Sequence, residues 1–168
     1  MILLLECVIL CMTTSVLIII ETYHNPVGGI HNAHPKIQER VSKLPQYEHI
    51  RGKVQMPAAK RILKKMPAIL IVMIILCALA IIAGANEFLT GMVYAFIIWL
   101  AIKLHTVFVV NCLWYANSKK ARIPGTEDME SVYKDYPFYM SSIGRSLLTG
   151  LLVSVLVGFA VSIIVIRK

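Results

Sequence analysis

Four long apolar runs, residues 2–20, 67–85, 89–112 and 147–166, dominate the pattern of the chain. Each comes close to the roughly 20 residues that a helix needs to cross a ~30 Å hydrocarbon core. Backbone polar groups inside lipid are satisfied only in helices or closed barrels. The short alternating segments of a membrane barrel are absent from this sequence,. The pattern therefore predicts an all-α, four-helix transmembrane bundle, with residues 1–168 as a single integral-membrane domain. The first run has no basic residues before it and no small-residue cleavage site after Ile20, so it is expected to stay as a membrane helix rather than leave as a signal peptide,.

Composition agrees: 58% of residues are hydrophobic and the mean hydropathy is +0.73. Charge adds orientation. Of the 17 Lys and Arg residues, nine fall in residues 21–66 and five in residues 115–146, whereas the turn 86–88 has none. Basic loops remain on the cytoplasmic side, so both long connections are expected there, with the N- and C-termini outside. The net charge of +8 lies beside the spans, where it fits anionic headgroups of membrane lipids; no nucleic-acid partner is expected.

The fourth run carries the most regular motif. Ser142, Ser146, Gly150, Ser154, Gly158 and Ser162 recur every four residues, and small residues at that interval let helices approach closely in lipid. Gly150, Ser154, Gly158 and Ser162 are the expected interface, within the bundle or against another copy. Ala78, Ala80, Ala83, Gly84 and Ala85 form a weaker patch of the same kind on the second run.

The connections have readable punctuation. Asn25-Pro26 and Gly28-Gly29 break the chain after the first run,. Pro35 opens a short amphipathic helix with Ile37, Val41 and Leu44 on one face, expected to lie in the membrane interface. A second start at Pro57 leads through Lys60, Arg61, Lys64 and Lys65, whose side chains snorkel to headgroups,. Pro124-Gly125 suits the centre of a type II turn. Thr126 is then expected to cap a helix that begins with Glu127, Asp128 and Glu130. Tyr133, Tyr136, Phe138 and Tyr139 form an aromatic belt at the membrane surface. Neither connection is long enough to build a globular core alone.

Candidate chemistry is sparse. Cys7, Cys11, Cys77 and Cys112 all lie within apolar runs. Cys7 and Cys11, with Glu6 and Met12 nearby, offer soft ligands on one helix face, but small buried hydrophobes are the ordinary reading of such cysteines. His24, His31, His34 and His49 occupy the first connection without an HExxH or similar template, so no metal and no cofactor is expected. The sharpest signal is Lys103, with His105, inside the third run. An ionisable side chain at that depth costs at least ~2.5–3.5 kcal/mol unless it is paired or faces water. Lys103 sits roughly 13 Å above Cys112 along an α-helix. Thr13, Thr14 and Ser15 on the first run, and Ser154 on the fourth, come to similar heights.

Those residues outline a polar cleft that opens toward the cytoplasm, with Lys103, Thr106, Thr13, Thr14 and Ser154 as candidate ligand-binding side chains. Trp99, Lys103, Thr106, Val110 and Trp114 share a face at α-helical spacing, with His105 turned away from Lys103. Glu6 is an imperfect counter-ion for Lys103, too far toward the outer surface.

Two segments carry a resemblance. Pro26-Val27-Gly28-Gly29-Ile30 with Ile37-Gln38-Glu39-Arg40-Val41, and Trp114 followed by Ile123-Pro124-Gly125-Thr126-Glu127-Asp128, resemble a group of small four-helix bacterial membrane proteins of unknown function. The resemblance spans nearly the whole chain and implies a bacterial plasma membrane and the same topology. The group has an acidic residue where this chain has Asn111, so no role for a carboxylate carries over there.

Three function classes follow. The favoured one is a non-catalytic membrane protein that binds or helps to move a small anionic or lipid-like ligand. The second is a lipid-modifying enzyme at the cytoplasmic face, using His24, Asn111, Glu127 and Asp128. The third is a structural or regulatory subunit, in a homo-oligomer or a larger membrane complex. No nucleophile triad or phosphate-binding glycine loop is present in support of the second,.

Overall fold

The computed structural model describes residues 2–50 and 58–166. Pro57, the side chains of Arg61, Lys64 and Lys65, and the terminal Arg167 and Lys168 lie outside the described residues. Helices account for all regular structure among the described residues: α1 (Ile2–His24), α2 (Pro35–Lys43), α3 (Ala58–Ile82), α4 (Phe88–His105), α5 (Glu130–Tyr133) and α6 (Tyr136–Ile166). Helix α4 continues without a break into a π-helix, Thr106–Tyr115.

Three segments are long and apolar enough to cross a membrane: Ile2–His24, Phe88–Tyr115 and Glu130–Ile166. The apolar part of α3, Met66–Ile82, is shorter. Each helix departs from its expected limits. α1 runs on to His24 and α6 begins at Tyr136, eleven residues before its apolar run. Hydrophobicity marks only the part of a helix that meets lipid, whereas backbone hydrogen bonding carries the helix on into polar sequence. α3 passes through Pro67 and stops at Ile82 rather than residue 85. Its end is a Schellman cap: Gly84 takes φ +90°, the Ala85 N–H donates to the Ala80 carbonyl, and the Gly84 N–H donates to that of Ile81,. A capping box between Glu87 and Thr90 then starts α4,.

α4 and α6 form the central pair, with α1 packed on α4 and α3 packed on α6. Their seam explains the small-residue stripe. Gly150 lies against the Trp99 ring, which a Cβ would overlap; a Cβ on Gly158 would come within 2.6 Å of the Phe88 carbonyl oxygen. Ser154 is fully buried and donates to the Gly150 carbonyl at 2.8 Å. Ala95, Ile98, Val153, Val157 and Val161 fill the layer around them. Dispersion between closely approaching backbones holds this seam together.

A second core lies at the end of the bundle that bears the long connections. The two connections jointly bury Ile30, Ala33, Ile37, Val41, Ile123 and Tyr133. This corrects two expectations. The apolar face of α2 is used inside the protein, with Ile37 and Val41 fully buried, and is not presented to a membrane interface. Thr126 caps no helix, because Met129 holds that position for the short α5. The Thr126 hydroxyl is buried instead, bonded to the Ile123 carbonyl at 2.7 Å and the Tyr133 hydroxyl at 2.7 Å. The type II turn forms as expected, with Gly125 at φ +88° and the Thr126 N–H donating to the Ile123 carbonyl,.

Candidate functional site

Between this cap and the long apolar helices lies a cavity of about 800 Å³. α1 contributes Ile18, Glu21 and Thr22, and the 25–38 stretch supplies the wall on the loop side. The α4 segment brings Lys103 and Thr106, its π-helical continuation brings Asn111 and Tyr115, and α6 brings Ser142, Arg145, Ser146 and Thr149. Lys103 and Arg145 set two cationic side chains against the Glu21 carboxylate, so the formal charge of this lining leans positive.

The π-helix decides which residues meet the cavity. Bonds of the i→i+5 type, such as the Ala116 N–H to the Asn111 carbonyl at 2.9 Å, widen each turn. Thr106 and Asn111 then come to one wall, five residues apart. The α-helical spacing assumed from sequence put Val110 and Trp114 there instead. Val110 is buried in the bundle, and Trp114 meets Tyr23 edge-on at 5.8 Å.

The hydroxyls of the cavity differ in what they offer. Thr106 donates to the Ile102 carbonyl at 2.8 Å and Ser146 to that of Ser142 at 2.8 Å, so each presents oxygen lone pairs. Ser142 Oγ is shielded from solvent and has no hydrogen-bond partner among the described residues. The stripe on α6 thus changes role along its length. Gly150, Ser154 and Gly158 make the seam, while Ser142 and Ser146 are small enough to leave the cavity open.

Of the five side chains expected to bind ligand, Lys103 and Thr106 line the cavity and the other three do not. Thr13 is exposed and bonded to the Ile9 carbonyl at 2.8 Å; Thr14 is half-buried on α1; Ser154 is sealed in the seam. Matching heights along separate helices did not fix which way each side chain faces. Glu6 accepts a hydrogen bond from the Tyr94 hydroxyl. His105 faces α1, with Nδ1 at 3.3 Å from Ser15 Oγ.

The alternative set does not assemble. Asn111 lines the cavity, whereas His24, Glu127 and Asp128 are exposed and stand outside its lining. The Gly125 N–H donates to the Glu127 carboxylate at 2.9 Å and holds that carboxyl below its usual range. Asp128 lies 3.9 Å from Arg40. Among the described residues no group of three or more His, Cys, Asp or Glu side chains is placed to hold a metal ion. Sequence reasoning missed Arg145, Ser142, Ser146 and the 25–38 wall. Arg145, three residues beyond Ser142 on α6, was the available signal.

No family model, curated protein or solved structure matches the chain.

Proposed function

We propose that this chain is a non-catalytic multi-pass membrane protein that binds, or helps to move, a small anionic or lipid-like ligand through the cavity around Lys103. The observation that carries the reading is the placement of Lys103 and Arg145 on one cavity wall system together with the solvent-shielded Ser142 hydroxyl. A cation held in a membrane segment is retained at a cost of several kcal/mol, which a function repays. The setting belongs to the same proposal. The 14-of-17 basic bias supports a cytoplasmic cap and cavity with outside termini, and the Pro26–Ile30 and Ile123–Asp128 segments support kinship with small bacterial four-helix membrane proteins.

Native mass spectrometry of the purified chain tests the ligand. The wild type is expected to retain a co-purifying anionic molecule that Lys103→Met loses, while His105→Leu keeps it. A Lys103→Met protein that is more stable and retains every co-purifying molecule contradicts the reading and marks Lys103 as unneeded buried charge. Cysteine labelling tests the side: a probe at Ser118 reached from outside intact cells reverses the topology.

A further inference from the structure

The cavity is bounded by α1 on one flank and by α6 on another. α1 and α6 both pack on α4 and on its π-helical continuation. The two outer helices share no extended interface among the described residues. Both nevertheless reach the cavity, α1 through Ile18 and α6 through Arg145 and Thr149. The groove between them is therefore floored by α4 and carries Lys103 along the way. Next to the lining residues in sequence the helices are apolar and open: Leu17 on α1 and Leu148 on α6 are 62% and 67% exposed.

The geometry points to an amphiphile with a phosphate-type head as the occupant, its head among Lys103, Arg145 and Ser142 and its chain leaving sideways between α1 and α6. This deepens the ligand reading above and rests on it. Two features favour an amphiphile over a free anion. About 800 Å³ lies in the range of pockets that enclose whole organic ligands, far more than a bare anion fills. Polar groups and cations gather at the cap end, while the flanks of the groove are aliphatic, matching a molecule with one wet and one dry end.

The full chain in phosphatidylcholine nanodiscs doped with long-chain phosphatidic acid, with inorganic phosphate and glycerol 3-phosphate as soluble probes, separates the sources. The expected result is retention of phosphatidic acid over phosphatidylcholine by at least tenfold in native mass spectra, with neither soluble probe displacing it at millimolar concentration. Lys103→Met is expected to bring retention down to the phosphatidylcholine level, and Lys103→Arg to restore it. Thr149→Trp, which fills the groove, is expected to do the same as Lys103→Met, with Thr149→Val behaving as wild type and reporting that α6 is intact. Equal retention of the two lipids overturns the inference. Binding of a soluble probe without enrichment of phosphatidic acid overturns it too but leaves the anion reading standing. Failure of every probe removes both.

Discussion

The seam between α4 and α6 and the cap over the cavity are two cores built on opposite principles. In the seam, small residues bring backbones together: Gly150 and Gly158 are there for what they lack, and a Cβ at either meets Trp99 or the Phe88 carbonyl. In the cap, side chains themselves are the filling. Ile30, Ile37, Val41 and Ile123 are buried almost completely around Tyr133, and each such side chain contributes about 1.5–3 kcal/mol when taken out of water. Lipid supplies no comparable drive, so the seam relies on fit. One region is damaged by adding atoms and the other by removing them.

Substitutions of opposite kind should therefore separate the two. Ile37→Ala has the largest expected effect, about 2–5 kcal/mol from the loss of buried methyl and methylene groups. It should appear as rapid proteolysis within residues 25–50 while the helices stay protected. Gly158→Leu follows, at about 1–3 kcal/mol of overpacking. Its signature is a lower melting temperature in detergent or a changed oligomeric state, with the cap still resistant to protease. An unchanged melting temperature and stoichiometry would place the stripe against lipid and end the contrast. Tyr133→Phe is smaller, about 1–2 kcal/mol. It removes the hydroxyl that accepts from the Ile123 N–H at 3.0 Å and pairs with Thr126, leaving a buried donor unmet. Hydrogen exchange at the Ile123 amide should accelerate, with no change in the seam.

The two regions were also unequally legible. The seam was readable because its signal is local: residues four apart on one helix share a face whatever packs against them. The long apolar helices were readable for the same reason. The cap was not, since Ile37 meets Ile123 and Tyr133 only after two further long helices, α3 and α4, have intervened in the chain, and no spacing within either connection announces the other. α2 shows the consequence. Its amphipathic pattern was read correctly as a helix, but the pattern cannot say whether protein or lipid covers the apolar face. At the site, Lys103 stood out by its charge in an apolar run. Asn111 reached the right wall only through the π-helix, and a period of 3.6 carried past Thr106 pointed to Val110 and Trp114 instead. Thr13, Thr14 and Ser154 stand outside the cavity lining, because height along a helix does not fix direction.

Cap and seam meet at the cavity, where α6 changes from seam to wall between Gly150 and Ser146. The most direct measurement is an experimental structure of the full chain in lipid nanodiscs. The account predicts density for a ligand head within hydrogen-bonding reach of Lys103 Nζ, Arg145 and Ser142 Oγ. A cavity filled by the chain's own side chains, with the Lys103 ammonium directed away from it, would contradict that account.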